Sequence, residues 1–213
     1  MFLYSAIIAL AKRNHPDHLQ LLLIDPKQTD FVYFEGLPHL HNDAVITDAQ
    51  DAVDAIRGIV SENGELDRRT QLLRASRCRD IEEYNRRNEA SPLRPLVIVV
   101  DEYADLMMVL GRSKADFEVG VNRLAQRGRS VGIHLIVATQ RPSIEFVTGA
   151  LKANMPCRIS FRLPSQTDSR VILDRNGAES LLGQGDMLLL EGGEVERLQG
   201  FFVAPEEIDS LLA

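Results

Sequence analysis

The run Leu96 to Asp105, LVIVVDEYAD, decides how this chain folds. Its first five residues are apolar and four of them are β-branched, the composition of a strand buried on both faces in a parallel sheet covered by helices. Asp101 and Glu102 follow at once, so the strand delivers two carboxylates to its C-terminal end, the edge where open α/β sheets bind ligands. An acid pair in that position suits phosphate chemistry, with one carboxylate beside a cation and the other orienting and deprotonating a water. It also suits a simpler task, capping the helix expected near Tyr103, whose N-terminal dipole favours acids.

Outward from this strand, the pattern alternates. Upstream, helical periodicity over Phe2 to Lys12 leads through a turn to a strand, Gln20 to Ile24, ended by Asp25-Pro26-Lys27. A short strand is expected over Ala44 to Ile46. Thr47-Asp48 then starts a helix from Ala49 that runs into the arginine-rich stretch beyond Glu65, with a bend at Gly64. Downstream, the expected order is helix (Phe117 to Ser130), strand (His134 to Ala138), helix (Phe146 to Ala153), strand (Arg158 to Leu163) and short helix (Ser169 to Leu173). Strands around Met187 to Leu190 and Leu198 to Val203 flank the turn Gly192-Gly193, and Pro205 opens a terminal helix. The whole chain, residues 1–213, is expected to be one α/β domain with a mainly parallel sheet covered by helices. Asp25, Lys27, Asp101, Glu102, Thr139 and Gln140 all stand at strand ends that this topology gathers on one edge.

Composition narrows the classes. The 213 residues are 45% hydrophobic and 26% charged, ordinary for a globular domain with a real core. The apolar runs are strand-length, far short of the roughly 20 residues of a membrane span. Phe2 to Ala11 lacks the flanks of a signal peptide, which points to the cytoplasm. Cys78 and Cys157 have neither framework nor metal-ligand spacing. His39, His41 and His134 lack a second ligand at useful spacing, and Met107 and Met108 read as core filler. The net charge of −7 excludes a protein that coats nucleic acid with its whole surface. A local basic excess remains from Arg141 to Arg175, six bases against three acids, and that segment is the candidate phosphate-facing surface. Arg68, Arg69, Arg74, Arg77, Arg79, Arg86 and Arg87 share their stretch with acids such as Glu82 and Glu83, and read as a solvated or subunit-contacting helix.

Gln140, after an apolar strand, has the chemistry to hydrogen-bond a γ-phosphate or its attacking water, or it is a polar loop residue before Pro142. Arg129 lies just before that strand. It compensates a helix C-terminus, or it reaches a neighbouring subunit as an arginine finger, a role worth about 10³ to 10⁵ in rate.

Four segments, LLLIDPK (Leu21 to Lys27), VVDEYADLMM (Val99 to Met108), RLAQRGRSVGIHLIVATQRPS (Arg123 to Ser143) and GAESLLGQGDML (Gly177 to Leu188), closely resemble the motor domain of the FtsK/SpoIIIE family of hexameric double-stranded DNA translocases. The resemblance covers essentially the whole chain. It implies a RecA-like P-loop NTPase core, binding of ATP and Mg²⁺, a hexameric ring and movement along double-stranded DNA. By motif it makes Asp101 and Glu102 the Walker B pair, with Asp101 on Mg²⁺, Gln140 the γ-phosphate sensor and Arg129 the finger acting in trans. Arg141, Lys152 and Arg170 match the positions that touch the DNA backbone. Gln166 stands where such motors often have a lysine.

One departure is plain: no G-x-x-x-x-G-K-[ST] run occurs in the 213 residues. The resemblance places Met1 just after the Ser or Thr that ends this Walker A loop, so the P-loop strand and the loop are expected to be missing from the chain. Alone it is then expected to hydrolyse ATP feebly or not at all. Two alternatives stand beside the DNA motor: a protein-translocating ATPase of the type VII secretion kind, and a non-catalytic module that joins a ring or binds DNA.

Overall fold

The computed structural model describes residues 2–212, which divide into two compact units. The larger, Ala11–Thr139, is built on a parallel sheet of β1 (Gln20–Ile24), β2 (Leu96–Val100) and β3 (Ile133–Val137), in the order β1-β2-β3. Leu96 stands opposite both Gln20 and Ile133, and Val100 opposite both Ile24 and Val137. The strands therefore end on one rung, and Asp25, Asp101 and Ala138 leave the sheet side by side. All five β2 residues are buried, as are four of β1, whereas Leu135, Ile136 and Val137 of the edge strand β3 are only half-buried. Solvent access thus rises across the sheet, and the acidic strand takes the dry central position.

Helix α1 is Phe2–Arg13. Between β1 and β2 lie α2 (Ala49–Val60), α3 (Glu65–Ala75) and α4 (Ile81–Arg87), and between β2 and β3 lie α5 (Tyr103–Val109) and α6 (Lys114–Arg127). Asp48 caps α2 by accepting from the N–H groups of Gln50 and Asp51, and Asp80 caps α4 by accepting from Glu83. Helices α2 and α6 cross closely at Gly120, where a Cβ would lie 2.6 Å from Ile56 Cγ2. Tyr103 stacks on Phe117 at 6.0 Å between ring centroids.

The second unit comprises the described residues of Met1–Leu10 and Gln140–Ala213. It holds α7 (Gly149–Asn154), α8 (Gln166–Leu173), α9 (Pro205–Leu212) and an antiparallel sheet, β4 (Arg158–Phe161), β5 (Asp186–Glu191) and β6 (Glu194–Gln199), in that order. Gly192 and Gly193 form the two-residue turn between β5 and β6 at φ +60° and +87°, the left-handed pair such a hairpin needs. Leu173, Ala178, Leu181 and Leu190 make its core.

The structure departs from the sequence expectation in four places. Ala44 to Ile46 contributes a single parallel bridge from Ile46 to Ile24, too short for a strand. The long helix from Ala49 is two helices, because Gly64 packs so closely on Gly58 and Ile59 that it N-caps α3 after a break. The final strand begins at Glu194, since the tight turn forces pairing immediately after Gly193. Met108 is 57% exposed, so only Met107 fills the core. No helix among the described residues is long and apolar enough to cross a membrane.

Candidate functional site

The loop leaving β1 is organised by Asp25, which is 1% exposed. Its Oδ1 accepts from the N–H groups of Lys27 and Gln28 at 3.1 and 3.0 Å, and its Oδ2 from those of Asp30 and Phe31, both at 2.9 Å. Four backbone donors occupy the lone pairs of this carboxylate. Asp25 is therefore the knot of the loop, and the side chains it presents are Lys27 and Asp30.

Asp101, at the end of β2, is 9% exposed, and its Oδ2 is buried without a hydrogen-bond partner. Burial, and then the charges of Asp30, Asp25 and Glu102, push it up to about 7, with Lys27 pulling the other way. One oxygen from each of Asp25, Asp30 and Asp101 lies within 4.8 Å of the others. Three convergent carboxylates, one with an orphaned oxygen, are costly in a dry site, and a hard divalent cation resolves that cost. The donor set fits Mg²⁺. Since Asp25 is already saturated, Asp101 is the principal ligand on offer.

Glu102 is fully buried and accepts at Oε1 from the Ala104 N–H, capping α5, and from the Thr139 hydroxyl. Its Oε2 lies 3.6 Å from Lys27 Nζ, which is also 3.4 Å from Asp105. Burial alone would lower Lys27, but Glu102 and Asp105 outweigh it and hold the ammonium above its ordinary range. Capping and chemistry are thus compatible: one oxygen is fixed by α5 and by Thr139 just beyond β3, and the other faces a cation.

Arg129 sits at the other end of the same sheet. It opens a 3₁₀ turn, Arg129–Val131, and is exposed. The length of β3 separates it from the acids, roughly 13 Å at 3.3 Å per residue. Within one protomer it points to no role at Asp101. The turn is held by Arg69, 2% exposed, which donates to the carbonyls of Val131 and Gly132 at 3.0 and 3.3 Å and to Glu65 Oε1 at 2.7 Å. Burial would raise Glu65, yet the hydrogen bonds from Arg68 and Arg69 win and bring it down to about 2. Gly132, at φ +72°, leaves no room for a Cβ, which would meet Ile81 Cδ1 at 2.3 Å.

Gln140 is exposed and is the first residue of the second unit after Thr139. Arg141 and Arg170 are exposed too, and Arg170 Nε donates to Asn176 Oδ1 at 2.8 Å. Lys152 instead pairs with Asp174 at 2.6 Å, and Asp174 also takes Arg158 at 2.7 Å.

The structure brings together Asp101 and Glu102 as the sequence suggests, and adds Lys27, Asp30 and Thr139 to them. Lys27 and Thr139 were visible as strand-end residues but had no partner to give them a task. Arg69 is the one member of its arginine-rich stretch that is buried, a fact the charge pattern concealed.

A family profile described as FtsK/SpoIIIE family matches residues 1–144. The chain is 44% identical over 215 residues to the DNA translocase SftA of Bacillus subtilis, covering 98% of this chain and 22% of that protein. It is 43% identical over 217 residues to the DNA translocase FtsK of Bacillus anthracis, covering 97% of this chain and 26% of the relative. The chain thus spans about a quarter of the length of these curated relatives. Among solved structures it resembles the cytoplasmic domain of the type VII secretion ATPase EccC of Thermomonospora curvata (28% identity, TM-score 0.81, 99% of this chain and 25% of that one). It also resembles the pCW3 conjugation coupling protein TcpA with ATPγS (26% identity, TM-score 0.76, 96% of this chain and 59% of that one). With a parallel sheet that ends in an acid pair, a RecA-like P-loop NTPase fold and this extent of similarity, the chain belongs to the FtsK/SpoIIIE family.

Proposed function

We propose that residues 1–213 act as one motor domain, the core of an ATP-driven translocase on double-stranded DNA. The observation that carries the reading is the convergence of Asp101, Glu102, Lys27 and Thr139 at one sheet edge in a chain 43–44% identical to proteins named as DNA translocases. Asp101 and Asp30 hold Mg²⁺. A cation bound there supplies positive charge to the phosphate oxygens of ATP. Glu102 receives the proton of the attacking water, its carboxylate aimed by Thr139 and the Ala104 N–H and faced by the Lys27 ammonium. Gln140 reads the γ-phosphate, and Arg129 serves the acids of a neighbouring subunit in a hexameric ring. Arg141, Lys152 and Arg170 touch DNA phosphates, which gives the sequence-independent grip a motor needs. The working compartment is the cytoplasm. Cradling of the phosphates by a G-x-x-x-x-G-K-[ST] loop falls to no residue of this chain.

A second reading, an ATPase that moves protein, draws on the likeness to EccC. The test for both is ATP hydrolysis with and without long double-stranded DNA, for this chain and for one extended upstream through the encoded sequence before Met1. Turnover that needs the extension and rises with DNA supports the DNA motor. Turnover indifferent to DNA favours protein transport. Silence in both chains, with DNA binding or ring formation retained, replaces the motor with a non-catalytic module.

A further inference from the structure

We propose that Lys152 and Arg158 form a two-cation site for a backbone phosphate of double-stranded DNA, and that Asp174 fills this site while the chain is free of DNA. The inference rests on the DNA-binding reading above and adds Arg158 and Asp174 to it.

The local chemistry of Asp174 singles it out. It is the C-cap of α8, at φ +57°, a left-handed conformation in which Gly is unstrained and in which Asn and Asp are the side chains best tolerated. A carboxylate at a helix C-terminus also meets the negative end of the helix dipole, where a cation or neutral group is preferred. The helix end is therefore a local cost that Asp174 bears and that Asn or Gly would not. What the carboxylate gains is the pair of cations: Lys152 Nζ at 2.6 Å on one oxygen and an Arg158 terminal nitrogen at 2.7 Å on the other. Hydrogen bonds from Lys152 and then Arg158 hold Asp174 below the usual carboxylate range.

The arrangement resembles the one a phosphate would make. Two anionic oxygens, each on its own cation, are what a phosphodiester offers, and arginine favours a bidentate grip on such a group. Asp174 does not satisfy that preference: Arg158 Nε is buried with no partner, a donor left over. The cations are the enclosed members, 22% and 18% exposed, whereas the Asp174 side chain is 54% exposed and leads outward. An incoming phosphate thus meets the carboxylate first and takes its place by displacing it toward solvent. The adjacent arginines have other partners, Asn176 for Arg170 and the Gly193 carbonyl for Arg175.

The test is binding of a fluorescent double-stranded DNA to the 213-residue chain by anisotropy across a sodium chloride series, for the parent, Asp174→Asn and Asp174→Gly. Both substitutions suit the left-handed backbone, and thermal melting of each reports its fold. Both variants are expected to bind about tenfold more tightly at low salt, the effect of freeing one charged donor pair. Their plots of log affinity against log salt should steepen by about 0.9, one further phosphate neutralised. Adding Lys152→Ala to Asp174→Asn should cancel the gain. Folded variants with the parent's affinity and slope would reduce Asp174 to a clamp between α8 and β4 and overturn the inference while leaving the DNA reading intact. Weaker binding with a lowered melting temperature would overturn it in the same way. Failure of parent and variants alike to bind DNA at the lowest salt would bring down the DNA reading and this site together.

Discussion

Replacing Glu65 with Gln tests whether the Arg69 clamp beneath the Arg129 turn is electrostatic. In the folded chain Glu65 titrates at about 2 against an ordinary 4.5. The difference, 4.5 minus 2, is about 2.5, which at 1.36 kcal/mol each corresponds to about 3 kcal/mol of preference for the charged form. Arg68, the more exposed partner at 51%, is screened by solvent, whereas Arg69 at 3% is not. After that discount about 2 kcal/mol remains, in keeping with the cost of leaving a buried guanidinium without its anion. The sign follows from linkage: a depressed carboxylate contributes fully above its unfolded value and is lost as pH falls from 4.5 toward 2. Urea denaturation of parent and Glu65→Gln should therefore differ by about 2 kcal/mol at neutral pH, and the gap should close as the buffer is taken below 4.5. Equal stability at neutral pH, or a gap that stays constant down to acid pH, would refute the reasoning. The clamp would then be held by the two carbonyl hydrogen bonds alone.

Asp101 runs the opposite way. Its folded value of about 7 exceeds the ordinary 3.8, so the stability of the metal-free chain should fall as pH rises between them. Asp101→Asn should be the more stable chain above pH 7, by up to about 4 kcal/mol, and added Mg²⁺ should narrow the difference; denaturation with and without the cation measures both. In a hydrolysis-competent extended chain, Thr139→Val should slow turnover by about ten- to a hundredfold, the loss of one hydrogen bond to a charged group, with ATP affinity unchanged. Steady-state kinetics beside nucleotide titration separates the two effects. Arg129→Ala should lower ATPase activity by about 10³-fold or more in homogeneous rings, and mixing with rings whose fingers are intact but whose Glu102 is Gln should restore part of it. An unaffected homogeneous ring would remove Arg129 from catalysis.

The parts of the fold legible in the sequence were those set by short-range composition. β2 is bounded by Pro95 and Asp101 and has no polar residue inside, so its limits could be read directly. The acid pair was legible for the same reason. What stayed hidden needed partners distant in sequence. Thr139 acquires a task only because parallel register sets it beside Glu102, 37 residues earlier. Arg69 looked like its six neighbouring arginines until the fold placed the carbonyls of Val131 and Gly132 before it. Lys152 read as an open cation, and the carboxylate that covers it lies 22 residues further on. Gly64 looked like a bend, since nothing in the local pattern reveals that Gly58 and Ile59 leave no space for a side chain there.

If Arg129 acts on a neighbouring copy as proposed, its placement at the end of the parallel sheet opposite Asp101 restricts how copies of the chain can assemble. A finger that works only in trans joins the donor face of one copy to the acceptor face of the next, and these are different surfaces. Such a contact is heterologous: it has no two-fold axis, and repeating it gives either a closed ring or an open helix, depending on the rotation per step. Every interface in a closed ring then has the same handed sense, so the assembly as a whole has a front and a back. On the proposed reading, with the Arg129 turn before β3 and the partner of Glu102 after it, each subunit would receive from one neighbour and give to the other along a single strand. Directional movement would need no further asymmetry than this.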